Sequence, residues 1–264
     1  MSAGQYLVTT SHHASAQIVH EAKVFARLYR LTYIPRSLSL DTIASNQFNS
    51  GIFVITGQGI AFFKDGKTLT YHSNMAKLRI MSIQQGHADR MVVAMELRKG
   101  DQLIDCTLGL GADALVASYV AGRKGHIIGL ESSWPVCHLT QYGLSHLRNA
   151  HWLSDDVAPI QVYCANHLDY LSLCPDKSAD VVYFDPMFRT HLEASYGLNT
   201  IREIANMSSV SQVSIQHAIR VARRRVVLKE RTNSDEFQRL GFNMIPSTRG
   251  AKTQYGFIQI STAT

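Results

Sequence analysis

The sequence predicts an α/β protein with a mostly parallel, Rossmann-like sheet that carries helices on both faces, preceded by a small N-terminal α/β module. Three observations indicate this fold. Apolar β-like runs alternate with segments of helical period along the chain. A turn containing two glycines follows the first run of the larger part. The last two apolar runs lie close enough in sequence to pair antiparallel at the end of the sheet.

The N-terminal module is expected to cover residues 1–85. Its predicted elements are short, and glycine-containing turns separate the later ones. They are a strand at 6–9, a helix at 14–31 and strands at 51–56, 59–64 and 68–72. This module is a candidate for substrate recognition.

The core is expected to cover residues 86–264. Its seven strands are predicted at 102–105, 126–131, 160–164, 181–185, 225–229, 242–246 and 255–261, with helices between most of them. A sheet of seven strands that ends in an antiparallel pair is typical of class I methyltransferases.

Composition indicates a globular protein of the cytoplasm. The 264 residues are 45% apolar and 17% charged, which suffices for one large core, and no secretory leader or membrane span is expected. The four cysteines show neither C-x-x-C nor zinc-type spacing, so reduced thiols and no metal site are predicted. The formal net charge of +6 favours a polyanionic partner such as nucleic acid.

The glycine turn lies in L-I-D-C-T-L-G-L-G-A-D-A, residues 103–114. Gly109 and Gly111 allow a tight turn and close approach of a ligand to the backbone, and the helix that follows offers free N–H groups. Gly109-x-Gly111-x-x-Ala114 also fits the dinucleotide fingerprint, with Glu131 as the ribose partner. The turn alone is therefore compatible with NAD and with other nucleosides.

Three details favour S-adenosylmethionine. Asp105 ends the strand three residues before the turn, where a carboxylate suits the ammonium of a methionine moiety and would repel a pyrophosphate. No basic residue lies between Asp105 and Arg123, which is unhelpful for a dinucleotide. The paired C-terminal strands are the third detail. Glu131 is then expected to bind ribose and Asn166 the amino edge of adenine, while His167 is equally compatible with a surface loop.

The segment Y-F-D-P-M-F, residues 183–188, ends a buried strand with an acid and a proline. It is similar to the Asp-Pro-Pro-aromatic motif of enzymes that methylate amino or amide nitrogens. Asp185 and the carbonyl of Pro186 can accept the two N–H bonds of such a nitrogen, and Phe188 can stack on a base. The alternative is that Asp185 caps a turn and Phe188 fills the core.

Basic residues cluster in the next predicted strand and the helix before it. They can contact phosphates, but such a run is also typical of a solvated helix terminus. Lys229 and Arg231 follow the apolar run of the strand and lie nearer the expected cleft, so they are the better substrate candidates. The whole cluster comprises Arg220, Arg223, Arg224, Arg225, Lys229 and Arg231.

Taken together, the motifs resemble the small-subunit ribosomal RNA guanine-N2 methyltransferase family, and most closely its uncharacterised branch from Gram-positive bacteria. The resemblance covers most of residues 72–260 and rests on residues 72–76, 105–114, 183–188, 225–231 and 247–255. It implies a cofactor site of Asp105, Thr107, Gly109, Gly111, Asp113, Glu131, Ser132, Asn166, His167 and Asp185. It also implies structured RNA, in particular ribosomal RNA, as the partner.

The sequence departs from that family directly after the Asp-Pro-Met-Phe motif. Arg189 and the residues that follow replace the Pro-His and lysine-rich stretch of the ribosomal enzymes. The resemblance therefore transfers well for the cofactor and poorly for the guanine substrate. The predicted function is an S-adenosylmethionine-dependent methyltransferase that acts on an amino nitrogen of an RNA base, with Arg189 as a further substrate candidate beside Lys229 and Arg231. Two alternatives remain at this point, an NAD-dependent oxidoreductase and a non-catalytic RNA-binding protein that retains a cofactor pocket.

Overall fold

The structure is a computed structural model that describes residues 6–46, 51–186, 210–247 and 250–261. Within these residues the strands form one sheet of five strands and one of seven. Helices cover both faces of the larger sheet, which confirms the predicted fold class. Among the described residues, no helix combines the length and the apolar character that crossing a membrane requires.

The five-stranded sheet is built from the N-terminal part of the chain in the order β2-β1-β3-β4-β5. Strands β1 to β3 are parallel neighbours, whereas β3, β4 and β5 pair antiparallel through tight turns. Helix α1 begins after Ser15, whose side chain accepts the backbone N–H of Ile18. The bounds are β1 (Tyr6–Thr10), α1 (Ala16–Leu28), β2 (Thr32–Tyr33), α2 (Leu40–Asn46), β3 (Gly51–Thr56), β4 (Gly59–Lys64) and β5 (Lys67–Thr70).

The seven-stranded sheet has the order β11-β12-β10-β9-β6-β7-β8. Five neighbouring strands, β10, β9, β6, β7 and β8, run parallel to one another. Strand β12 pairs antiparallel with both β10 and β11. All seven predicted strands are present. They are β6 (Gln102–Asp105), β7 (His126–Glu131), β8 (Ile160–Cys164), β9 (Ala179–Phe184), β10 (Ala222–Arg231), β11 (Asn243–Met244) and β12 (Thr253–Gln259).

The strand β9 shows why helices are needed on both faces. Val181 and Tyr183 face one apolar cluster, and Val182 and Phe184 face the other, because successive side chains of a strand alternate between faces. The helices that follow α2 are α3 (Asn74–Gln84), α4 (Arg90–Met95), α5 (Ala112–Ala121), α6 (Trp134–Ser145), α7 (His167–Leu173), α8 (Gln212–Val221) and α9 (Glu236–Leu240).

Helix α3 precedes the predicted boundary at residue 85 but packs against α5. Its Ala76 and Ile80 are fully buried in the core of the seven-stranded sheet. The division into residues 1–85 and 86–264 stays a prediction. The two parts meet through α3 and also through α6, which packs against β4 of the five-stranded sheet.

The expectation that all four cysteines are reduced is wrong for one pair. Cys137 in α6 and Cys164 at the end of β8 form a disulfide with their Cα atoms 5.6 Å apart, while Cys106 and Cys174 are free. The pair is 27 residues apart in sequence. It is brought together only because α6 packs against β8, so residue spacing carried no signal of it.

Candidate active site

The register of the parallel strands brings the candidate side chains to one edge of the sheet. Asp105 is paired with Gly129 of β7 and with Tyr183 of β9, and Leu228 of β10 is paired with Phe184. The carboxyl ends of β6, β7, β9 and β10 therefore meet at the same edge, where open α/β sheets bind their ligands.

The glycine turn has the conformation that the sequence predicts. Gly109 and Gly111 have φ values of +53° and +75°, and Gly111 is the N-cap of α5. A Cβ atom added at Gly109 would have no neighbour within 4 Å, whereas one added at Gly111 would press on Thr140 at 3.3 Å. The backbone at Gly109 thus lines open space, which a ligand at this turn requires.

Asp105 is 1% exposed at the end of β6. Its Oδ1 accepts the backbone N–H of Thr107 at 3.1 Å. Burial, and after it the charge of Asp113, raises the pKa of Asp105 well above the usual range of an aspartic acid. A cationic group placed against this carboxyl would draw it into its charged form.

Glu131 holds the glycine turn in place. Its Oε2 accepts the N–H of Gly109 at 3.0 Å, and its Oε1 accepts the N–H of Ser133 at 2.7 Å. Burial raises its pKa, although the hydrogen bonds from the backbone, including that of Ser132, oppose the shift. Each carboxylate oxygen has a second lone pair, so both can also accept a hydroxyl.

Asn166 and His167 begin α7. The side-chain Oδ1 of Asn166 accepts the N–H of Leu168 at 2.8 Å and caps the helix. The amide NH₂ of Asn166 can then donate to a ring nitrogen of a ligand. The ring of His167 packs edge-on against Phe184 at a centroid distance of 5.5 Å, and burial lowers its pKa. His167 is therefore half-buried, with its ring packed against the core residue Phe184.

Asp185 directly follows β9 and is tied to the glycine loop. Its backbone N–H donates to Thr107 Oγ1 at 2.6 Å, and its Oδ2 accepts from Lys229 Nζ at 2.6 Å. Burial raises the pKa of Asp185 to about 6, while the ammonium of Lys229 opposes the rise. Pro186 follows it, and the predicted Phe188 and Arg189 lie outside the described residues.

Asp113 joins this pair from the first turn of α5. Tyr183 Oη donates to its Oδ2 at 2.8 Å, Lys229 Nζ lies 3.5 Å from the same atom, and Arg79 forms an ion pair with Oδ1. Burial would raise the pKa of Asp113, but Lys229 and Arg79 outweigh it and lower the pKa to about 2. Arg79 of α3 also contacts Asp89 at 2.8 Å, so the network extends to the N-cap of α4.

Arg79 and Tyr183 were missed by sequence reasoning. Arg79 lies 34 positions before Asp113 in α3, outside the stretch 72–76 on which the resemblance rests, so no sequence signal pointed to it. Tyr183 lies within the Y-F-D-P-M-F segment, and its position two residues before Asp185 on the alternating strand was a usable signal. Lys229, predicted as a phosphate contact, forms ion pairs with Asp185 and Asp113 in this half-buried network, and its contact with a substrate stays a prediction.

The other basic residues separate into two groups along β10. Arg231 lies at the end of the strand on the candidate-site edge, as predicted. The arginines at the start of β10 and in α8 lie at the opposite edge of the sheet. There they donate hydrogen bonds to backbone carbonyls and form ion pairs with carboxylates. Their partners are Asp176 for Arg220, Asp180 for Arg223, Asp101 for Arg224 and Glu96 for Arg225.

This sheet topology, with an acid at the end of β6, a glycine turn, and an acid at the end of β7, defines a class I S-adenosylmethionine-dependent methyltransferase. A family model described as "Putative SAM-dependent methyltransferase" matches residues 65–251, and the chain belongs to this family. The cofactor is S-adenosylmethionine, so the dinucleotide alternative for the glycine turn is wrong.

Individual relatives extend this result. "Uncharacterized protein YpiP" of Bacillus subtilis (strain 168) is 33% identical over 257 residues, which cover 97% of this chain and 100% of YpiP. "Ribosomal RNA small subunit methyltransferase J" of Marinobacter nauticus is 29% identical over 145 residues, 53% of this chain and 50% of that protein. The solved SAM-dependent methyltransferase NGO1261 of Neisseria gonorrhoeae superposes with a TM-score of 0.62 at 15% identity, covering 98% of this chain and 97% of NGO1261.

Proposed function

We propose that this methyltransferase transfers the methyl group of S-adenosylmethionine to an exocyclic amino nitrogen of a base in structured RNA, of the guanine-N2 type in ribosomal RNA. The partial similarity to the Marinobacter methyltransferase supports an RNA substrate. The resemblance of residues 183–188 to the motif of amino-nitrogen methyltransferases supports the kind of acceptor atom.

One observation carries the proposal. The backbone N–H of Asp185 donates to the hydroxyl of Thr107, which lies in the loop between Asp105 and the glycine turn. The acceptor motif and the cofactor loop are thereby held in fixed register. Methyl transfer needs such a register because the nitrogen, the methyl carbon and the sulfur must lie in line.

The proposed role of Asp185 is to hold the acceptor nitrogen. Lys229 occupies Oδ2, and among the described residues Oδ1 has no hydrogen-bond partner, so Oδ1 can accept one N–H of the amino group. The carbonyl of Pro186 accepts the second N–H, and Phe188 stacks on the base. This arrangement directs the nitrogen lone pair at the methyl group.

The chemistry requires only modest proton transfer. S-adenosylmethionine supplies an activated methyl group, and the nitrogen loses one proton when its new bond to carbon forms. The raised pKa of Asp185, about 6, lies close to neutral pH, and a general base is most effective when its pKa is near the pH of the reaction. Asp185 therefore both orients the amino group and accepts its proton.

The cofactor roles follow the edge of the sheet. Asp105 faces the ammonium of the methionine moiety, the backbone of Gly109 and Gly111 lines the ligand, Glu131 accepts the ribose hydroxyls beside Ser132, and Asn166 donates to the adenine ring. Asp113 acts indirectly, through Tyr183, Arg79 and Lys229. Arg231 remains the described candidate for a phosphate contact near the site.

The test is a methyl-transfer assay with ribosomal small subunits and their extracted RNA from cells that lack the gene. With methyl-labelled S-adenosylmethionine, label is expected in RNA, and nucleoside analysis is expected to find N2-methylguanosine. Arg223→Gln, at the opposite edge of the sheet, is the control and keeps activity. Label that enters protein or a small molecule instead would overturn the choice of RNA. RNA binding without any methyl transfer would favour the non-catalytic alternative.

A further inference from the structure

The disulfide between Cys137 and Cys164 lies beside a histidine that the proposed methyl transfer does not use. His138 Nε2 is 3.6 Å from Cys164 Sγ, and the three side chains lie within 4.8 Å of one another. Cys137 is completely buried, whereas Cys164 is exposed. Of the two cysteines, Cys164 is therefore the one that a reagent from solution can approach.

A hydrogen-bond chain sets the tautomer of His138. Gln141 Nε2 donates to the carbonyl of Val162 at 2.9 Å, which fixes the orientation of the Gln141 amide. Gln141 Oε1 therefore faces His138 Nδ1 at 2.7 Å. Because that oxygen can only accept, Nδ1 carries the proton, and the lone pair of Nε2 faces Cys164.

Two aromatic rings hold the imidazole in this position. The ring of Tyr29 lies 4.0 Å from that of His138, and the ring of Trp134 lies 4.1 Å from it on another side. A fixed neutral imidazole beside a thiol is the arrangement that converts a thiol into a reactive thiolate. In the reduced protein, His138 Nε2 can accept the proton of Cys164.

The disulfide also joins two segments of the cofactor site. Cys164 is paired with Glu131 in the sheet, and the N–H of Ala165 donates to the carbonyl of Glu131 at 3.0 Å. Asn166 follows two residues later. Strand β8 is an edge strand, so it has a neighbour on one side only, and the link to α6 restrains its end.

We propose that Cys137 and Cys164 are a reversible thiol–disulfide site whose oxidation state sets the affinity of the cofactor pocket. The oxidant is a disulfide, R–S–S–R, of low molecular weight or on another protein. The Cys164 thiolate attacks one sulfur of R–S–S–R, which breaks the S–S bond and releases RS⁻. The released RS⁻ takes up the proton held by His138 and becomes RSH. The Cys137 thiol then loses its proton, and its sulfur attacks Cys164 and displaces the second RS⁻, which that proton converts to RSH. Two protein thiols are oxidised, and R–S–S–R is reduced to two RSH.

The oxidised protein is expected to bind the cofactor more tightly. The link holds the end of β8 against α6, and with it the positions of Glu131 and Asn166. Reduction releases this restraint, so part of the binding free energy is spent on ordering the strand end. We expect reduction to weaken the affinity by about fivefold, at the lower end of typical coupling between sites.

The test is calorimetry of the full chain with S-adenosylhomocysteine after treatment with oxidised glutathione or with dithiothreitol. Mass spectrometry is expected to find two more thiols in the reduced protein, and the affinity to fall about fivefold. Cys174→Ser, at a free cysteine outside the pair, is the matched control and keeps the difference. Cys137→Ser is expected to lose it and to accumulate a mixed disulfide of Cys164 with glutathione.

His138→Asn gives a second readout that a purely structural role would not move. In the Cys137→Ser background, His138→Asn is expected to slow the formation of the mixed disulfide at Cys164. In the protein that keeps both cysteines, it is expected to leave the cofactor affinity of the oxidised form unchanged. Equal affinity of the oxidised and reduced protein would overturn the proposal. So would binding of one Co²⁺ by the reduced protein with thiolate charge-transfer absorption that Cys137→Ser removes, since the three residues would then be a metal site.

Discussion

The two halves of the site hold their carboxylates in different ways. In the half that we propose binds the cofactor, Asp105 and Glu131 accept hydrogen bonds from backbone N–H groups, and burial raises the pKa of both. In the acceptor half, Asp113 and Asp185 are held by side-chain cations, Lys229 and Arg79. There the pKa of Asp113 falls to about 2 while that of Asp185 rises to about 6.

The difference follows from what each half must do. Backbone donors cannot move away, so under the proposed assignment the cofactor half presents fixed carboxyl groups to a ligand that brings its own ammonium and hydroxyls. Lys229 lies near both acids of the acceptor half, and Arg79 pairs with Asp113 alone. The acceptor half can therefore keep Asp113 ionised while the pKa of Asp185 stays close to neutral pH. Variants of the first half should alter cofactor affinity, and variants of the second should alter rate and pH dependence.

Asp185→Asn should produce the largest effect. The asparagine keeps the size of the side chain but cannot accept the proton of the amino group, so methyl transfer to RNA should fall by about 100-fold or more. Binding of S-adenosylhomocysteine should change little. Asp176→Asn removes an exposed carboxylate that, like Asp185, forms an ion pair with a basic side chain, here Arg220, and it serves as the matched control. If Asp185→Asn retains its turnover on a confirmed RNA substrate, Asp185 is not the catalytic group.

Glu131→Ala should act on the other half. It removes the acceptor for the N–H of Gly109 together with the proposed ribose contact. Cofactor affinity should fall by about 1 to 3 kcal/mol, as expected for hydrogen bonds to a charged group. Calorimetry with S-adenosylhomocysteine measures this loss, and Glu236→Ala in α9 is the control. An unchanged affinity would remove Glu131 from the cofactor site.

The two halves also differ in how far the sequence predicts them. The seven strands, the glycine turn, Asp105 and Glu131 follow from patterns within about 30 residues, because hydrophobic periodicity and turn chemistry are local. The partners of the acceptor half come from α3 and β10, and the disulfide joins α6 to β8. Such contacts depend on the packing of elements that are distant in sequence. The sequence therefore indicated Lys229 as a residue of the cleft but not the ion pair that it forms.

Asp113→Asn should test the charge network through stability. Because the folded-state pKa of Asp113 is about 2, below the usual 3.8, its charge stabilises the fold above pH 4. That contribution disappears as the pH falls through the folded pKa, and it amounts to roughly 2 kcal/mol. Denaturant unfolding from pH 5 to pH 2 should therefore show a loss of stability that is roughly 2 kcal/mol smaller in the variant. An identical loss in both proteins would contradict the lowered pKa.

Lys229→Met should give a smaller change in rate but a specific pH signature. Lys229 opposes the rise in the pKa of Asp185, so its removal should move that pKa above about 6. A larger fraction of Asp185 is then protonated at pH 7, and the rate there should fall by about twofold for a pKa shift of one unit and by about tenfold for a shift of two units. The acidic limb of the pH–rate profile should move to higher pH, so part of the lost rate should return at pH 8 to 9. Lys229→Arg retains the cation and should keep the limb near its original position. A phosphate contact by Lys229 would instead raise KM at every pH without moving the limb, so the profile separates the buried ion pair from the substrate contact that the sequence predicts.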